Sequence, residues 1–206
     1  MKSAIQPYLN SKEIKKFKKG TASGFTLVEV LMCLAILSVL FGTVYRSFDI
    51  FTRSFTKENV KAGVQQRTRI GIDLMTRDIR LAGLDPLGTA NARIIAADAE
   101  NIQFSADLNY DGDANDPFEN ITYALNGDLL KQTSDLGTGL VTDTLLDNVD
   151  ALTFTYLDAS DTPMAAPVGN PEDIRSVIVS LTMQRPAGRD EPISRTYTTR
   201  VRCRNL

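Results

Sequence analysis

Gly24-Phe-Thr-Leu-Val-Glu-Val-Leu-Met-Cys-Leu-Ala-Ile-Leu-Ser-Val-Leu-Phe-Gly-Thr-Val44 is the stretch on which the fold turns. From Phe25 to Val44 it carries one charge, Glu29, in twenty residues. That length, mostly apolar, matches a helix crossing a bilayer core of about 30 Å. Upstream lie Lys12-Glu-Ile-Lys-Lys-Phe-Lys-Lys19 and then Gly20-Thr-Ala-Ser-Gly24. Lysines on that side hold the N-terminal end in the cytoplasm and send everything after Val44 outside. Glu29 is the anomaly, because a carboxylate in hydrocarbon costs roughly 2.5–3.5 kcal/mol on insertion scales and is seldom kept without a partner. The apolar segment holds no cation. Cleavage between Gly24 and Phe25 makes one: it exposes the α-amino group of Phe25, which the Glu29 of a neighbouring subunit can neutralise.

These residues resemble the processing site of type IV prepilins and type II secretion pseudopilins. The resemblance rests on glycine, an aromatic, Thr-Leu, a single glutamate and a long apolar run in fixed register. It implies a leader cut after Gly24, methylation of Phe25 by the same membrane peptidase, and a Glu29 that guides subunit addition. The implied partners are other pilins or pseudopilins packed through the N-terminal helix, the prepilin peptidase and the inner membrane. An ordinary signal anchor or secretory signal is the competing reading, but no small-x-small site closes the apolar run and the basic lead is long.

The remainder suffices for one modest domain. The 24-residue leader holds six lysines and one glutamate, so its removal shifts the balance from 23 basic against 25 acidic residues to 17 against 24, near −7. An acidic mature chain argues against nucleic-acid binding, which draws on clustered Lys and Arg. Cys33 lies in the apolar run and Cys203 near the C-terminus. A bridge requires Cα atoms within about 7 Å, so none is expected, and both read as small apolar residues.

Helical periodicity continues past Val44. Tyr45, Phe48, Phe51 and Phe55 recur at three- and four-residue steps, then Ile72, Met75, Ile79 and Ala82, with Arg69, Asp73 and Arg77 in opposite-charge steps. One helix from Phe25 to Ala82, roughly 85 Å long, is expected to stop at Gly83 and Pro86. Gly42, Gly63 and Gly71 read as weak points, each costing up to about 1 kcal/mol against alanine. Arg77-Asp-Ile-Arg-Leu-Ala-Gly83 resembles the helix end of PilW-like minor pilins and J-type pseudopilins.

From Arg93 the period changes to two. Arg93–Ala96, Asn101–Ser105, Ile121–Leu125, Asp128–Gln132, Ala151–Leu157, Ser176–Met183 and Arg195–Arg204 read as strands, with a tight hairpin at Asn126-Gly127. The last strand is expected to point Tyr197, Val201 and Cys203 inward and Arg200, Arg202 and Arg204 outward. Residues 133–144 and 159–171 read as polar loops. The fold class is therefore α+β: a long N-terminal helix, membrane-spanning in its first half, packed on an antiparallel β-sheet in the manner of type IV pilins. The divisions are leader 1–24, membrane or filament-core helix 25–44, amphipathic helix 45–84, and a periplasmic or extracellular β-rich domain 85–206.

The chain has no histidine, which removes imidazole from acid-base, nucleophilic and metal roles. No phosphate loop or zinc-protease pattern appears, so it reads as a non-enzyme. One acidic run stands apart: Asp107-Leu-Asn109-Tyr-Asp111-Gly112-Asp113-Ala-Asn115-Asp116-Pro-Phe118-Glu119. Asp, Asn and Asp at alternate positions with glycine sixth match the first half of an EF-hand-type calcium loop. Asp107, Asn109 and Asp111 would ligate through side chains, Asp113 through its carbonyl, and Asn115 directly or through water. The twelfth position is Phe118, so Asp116 or Glu119 would supply the closing carboxylate. A solvated turn-rich loop is the alternative. Related pseudopilins hold calcium, at sites that do not map onto this loop residue by residue.

The whole points to a minor pilin of the PilW-like type that helps to initiate type IV pilus assembly near the filament tip, or else a J-type pseudopilin. From another class, a single-pass anchored calcium-binding or adhesive domain that never polymerises accounts for everything except Glu29.

Overall fold

The computed structural model describes residues 24–136, 138–188 and 190–206. The basic leader before Gly24, with Lys12 to Lys19, lies outside the described residues. The chain divides into two compact units, with the boundary between Phe48 and Asp49.

The first element, α1, runs from Leu27 to Ile79 over 53 residues. In the first unit its side chains are apolar on every side and exposed, Leu27, Val39 and Phe41 by 77%, 66% and 69%. A helix apolar all round is one that something else must cover. Three of its hydroxyls are satisfied within the helix: Ser38 Oγ donates to the Ala35 carbonyl (2.7 Å), Thr43 Oγ1 to that of Leu40 (2.8 Å) and Ser47 Oγ to that of Thr43 (2.9 Å). This is how polar side chains persist in hydrocarbon.

In the second unit the last turns of α1 meet two antiparallel sheets. Strands β1 (Ile94–Ala97), β2 (Asn101–Ser105), β3 (Asn120–Asn126), β4 (Leu129–Asp135) and β5 (Leu140–Leu146) form a five-stranded meander in chain order. Strands β6 (Val149–Leu157), β7 (Pro163–Met164), β8 (Ser176–Ala187) and β9 (Asp190–Arg202) form a four-stranded sheet ordered β7-β6-β8-β9. This is an α+β, type IV pilin-like architecture, a long N-terminal helix packed against antiparallel sheets. The single expected sheet is corrected to two, because alternation within a strand reports which face is buried and not which strand it pairs with.

The two sheets and the helix share one core. Val64, Ile72, Met75 and Ile79 of α1 are buried with Phe104, Tyr123 and Leu130 of the first sheet and Phe154, Tyr156, Val179, Leu181 and Val201 of the second. Gly71 lets the helix come close: a Cβ there would lie 2.4 Å from Leu146 Cδ1 and 3.1 Å from Leu181 Cδ2. It is a packing position and not the weak point its residue type implied. The sheets are stitched directly, since the Phe154 N–H donates to the Ala99 carbonyl (2.7 Å) and Tyr156 Oη to that of Asp98 (2.8 Å). The helix end is clamped to β3 by Tyr123 Oη, which donates to Asp78 Oδ2 at 2.6 Å.

Several boundaries shift from expectation. α1 ends at Ile79 and closes through a turn to Gly83, whose φ is +79° and whose N–H donates to the Ser105 carbonyl. Ile72, Met75, Ile79 and Ala82 are buried as the period implied, but Tyr45, Phe48, Phe51 and Phe55 are 61–75% exposed, so packing begins only near Val60 and Val64. Residues 50–59 are exposed on every face of α1, so this part of the helix has no sheet beside it whatever the phase of its aromatics. The hairpin turn is Gly127-Asp128, with Asn126 paired to Leu129. The expected loop 133–144 is largely the β4–β5 hairpin. Val201 and Cys203 point inward, yet Tyr197 is 44% exposed because β9 is an edge strand.

Candidate processing and assembly site

Thr26 and Glu29 build the start of α1 between them. The Glu29 N–H donates to Thr26 Oγ1 (3.2 Å), while Glu29 Oε2 accepts from the Thr26 N–H (3.1 Å) and from its hydroxyl (3.2 Å). This reciprocal capping box satisfies donors that a helix N-terminus otherwise leaves without partners, and it puts a carboxylate at the positive end of the helix dipole. The signal was present in Thr26-Leu-Val-Glu29, and reasoning about Glu29 as a bare charge overlooked it. Glu29 therefore has a local task within the single chain, beside any pairing with a neighbour.

The cap also sets where regular structure stops. Gly24, Phe25 and Thr26 lie outside the helix, Phe25 is 87% exposed, and a Cβ built on Gly24 meets nothing within 4 Å among the described residues. The Gly24–Phe25 bond thus lies outside regular structure, beside an exposed side chain, where a peptidase can reach it. The fold itself does not require glycine at 24. Among the described residues α1 is the one helix long and apolar enough to cross a membrane, and none of its apolar window is buried.

Residues 20–45 match the prokaryotic N-terminal methylation motif. The match spans the end of the leader, Gly24, Phe25, Glu29 and the apolar part of α1, and supports a pilin or pseudopilin role with membrane association. No curated protein matches the chain.

The acidic run forms the connection between β2 and β3, and its members separate into two groups. Asp107 and Glu119 are buried, at 0% and 2% exposure. Asp107 Oδ1 accepts from the Tyr110 N–H (2.6 Å) and its Oδ2 from the Gly112 N–H (3.0 Å). Glu119 Oε1 accepts from the Leu108 and Asn109 N–H groups (2.7 and 3.2 Å). Asn109 Nδ2 donates to Asp111 Oδ2 (3.0 Å) and Asp116 Oδ2 (2.9 Å). The Asp113 N–H, and after it the Asn109 amide, hold the Asp111 carboxyl below the ordinary carboxylate range. Asp113 and Asn115 are exposed and bond to each other, through Asn115 Nδ2 to Asp113 Oδ1 at 2.7 Å. Among the described residues, no three acidic or cysteine side chains already converge as a metal cage.

The remaining candidates are structural. Arg77 Nε donates to Asp78 Oδ1 (3.2 Å) and so backs the Tyr123 clamp. Arg200, expected to point outward, is exposed, pairs with Asp161 and donates to Ser176 Oγ (3.1 Å). Cys203 is 3% exposed and burial pushes its thiol up to about 11, which leaves it inert in the neutral range.

Proposed function

We propose that the chain is a minor pilin-type subunit, cut after Gly24, methylated on Phe25 and assembled through the apolar half of α1, where it helps to start a type IV pilus near the filament tip. The methylation motif at 20–45 carries this reading, in register with an exposed Gly24–Phe25 bond and a wholly exposed apolar helix. Once the leader is gone, the Phe25 α-amine is a cation beside the membrane, and Glu29 on an adjoining subunit is the anion in reach of it. Pairing them removes two uncompensated charges from hydrocarbon at once. The all-apolar helix is then covered by lipid before assembly and by neighbouring helices after it. The role is structural, with no chemistry of its own. Arg77-Asp-Ile-Arg80 is common to PilW-like minor pilins and J-type pseudopilins, and the length of the β-rich domain suits the minor pilin.

Intact mass and N-terminal sequencing of the protein extracted from its native membrane test the processing step. The expected chain begins at N-methylated Phe25. Recovery with residues 1–24 still attached overturns the reading. Complementation of strains lacking a minor pilin or a J-type pseudopilin separates the two machines, and restored piliation is the expected result.

A further inference from the structure

The β2–β3 connection contains a feature that the filament reading leaves unexplained. Glu119 is a carboxylate at 2% exposure whose Oε2 is buried and has no hydrogen-bond partner. A buried carboxylate oxygen without a donor bears its desolvation penalty uncompensated, and the loop from 107 to 119 has no Lys or Arg to answer it. None of its five carboxylates forms an ion pair among the described residues.

Glu119 is also turned toward the loop. Its other oxygen is bonded to the N–H groups of Leu108 and Asn109, the residues between Asp107 and Asp111. The side chain reaches this place because Phe118 adopts φ +71° and is 59% exposed. That left-handed step rotates the aromatic out at the twelfth position and carries the following carboxylate inward. Around Asp107, the Tyr110 and Gly112 N–H groups wrap the loop as a turn needs. Gly112 has φ +91°, and a Cβ there would come within 2.4 Å of Thr89 Oγ1. Between Asp111 and Asp116 stands the Asn109 amide, a neutral donor bridging two anions where a cation is the stronger partner.

We propose that this loop binds one calcium ion through oxygens of Asp107, Asn109 and Asp111, with Glu119, one place beyond the usual twelfth position, as the closing carboxylate. Calcium accepts six to eight oxygens in irregular geometry, whereas magnesium demands a near-ideal octahedron. A one-residue offset in the closing ligand therefore suits calcium. The Asn109 amide has to release Asp111 and Asp116 for the ion to enter. Exposed Asp113 and Asn115, bonded to each other, stay outside the side-chain ligand set. The bound ion would tie a long connection to the ends of β2 and β3, independently of whether the leader is processed.

The test uses the full chain in detergent, titrated calorimetrically with CaCl2 and with MgCl2 after chelation, and melted with and without EDTA. Calcium is expected to bind at one site and raise Tm, and magnesium to do so much more weakly. Glu119→Gln and the milder, exposed Asp111→Asn should each weaken calcium binding about tenfold or more, while Asp113→Asn leaves it within about twofold. Far-UV circular dichroism checks that each variant is folded, and Asp111→Asn carries the test if Glu119→Gln is not. Absence of calcium binding to the folded wild-type chain overturns the proposal. So does a folded Asp111→Asn or Glu119→Gln protein with unaltered affinity.

Discussion

Replacing Tyr123 with phenylalanine takes one hydroxyl out of the join between α1 and the first sheet and changes little else. Tyr123 is fully buried, and its ring lies 6.4 Å, centroid to centroid, from that of Phe104 at 29°, a contact that phenylalanine keeps. The lost interaction is the 2.6 Å bond to Asp78 Oδ2. Asp78 is itself 8% exposed and retains only Arg77, on its other oxygen, from a side chain that is 72% exposed. A hydrogen bond to a charged acceptor contributes about 1.5–3 kcal/mol. At about 2–4 °C per kcal/mol for a domain of this size, Tm should fall by roughly 3–12 °C. Melting of the detergent-solubilised chain, followed by circular dichroism, measures it. Asp78→Ala and the double variant complete a cycle with an expected coupling of about 0.5–3 kcal/mol.

The same pair has an alkaline signature. Burial first, and then the bond to Asp78, push the Tyr123 hydroxyl above the ordinary tyrosine range. In the unfolded chain a tyrosine hydroxyl titrates near 10. Its folded pKa is the higher, so its contribution is complete below about pH 10 and declines as pH rises through and beyond that value. Tyr156 adds a similar decline, from burial above all. Tyr123→Phe should therefore lose less stability than wild type between neutral and strongly alkaline pH. A Tm drop below about 2 °C together with additive single variants would refute the clamp.

Glu29→Gln keeps an acceptor for the Thr26 cap but removes the charge, while Glu29→Ala removes both. Both should be inserted and processed yet fail to enter filaments in a pull-down with neighbouring subunits, and normal incorporation of Glu29→Gln would reduce Glu29 to a helix cap. Gly63→Ala, where a Cβ meets nothing, should raise stability by up to about 1 kcal/mol. Gly71→Ala should lower it by about 1–3 kcal/mol in urea unfolding, because Leu146 and Leu181 must move. Arg200 holds the Asp161 carboxyl below its usual range. That contribution is present above the unfolded carboxylate pKa of about 3.9 and fades as pH falls through the folded value, so acid titration should bring Arg200→Ala and wild type together at low pH.

What could be read without coordinates was whatever depends on local order. The apolar run from Phe25 to Val44, the helical period through Ile79 and the alternation from Val177 to Met183 are covalent patterns, each of which selects a backbone geometry by itself. The capping box at Thr26 and Glu29 belongs with them, since its partners are three residues apart. Residues 140–144 read as part of a loop because Thr142, Asp143 and Thr144 on an edge strand stay exposed and so leave no alternating signature.

Sequence alone determined the existence of the apolar helix, the processing motif and the strand-rich remainder, because those follow from spacing along the chain. Tertiary structure alone decided that the strands divide into two sheets, that Gly71 is a contact and not a weakness, that Asp78 meets Tyr123 across 45 residues, and that Glu119 turns inward while Phe118 turns out. Each of these depends on which distant atoms share a volume once the apolar faces have closed on one another, and separation along the chain does not encode that.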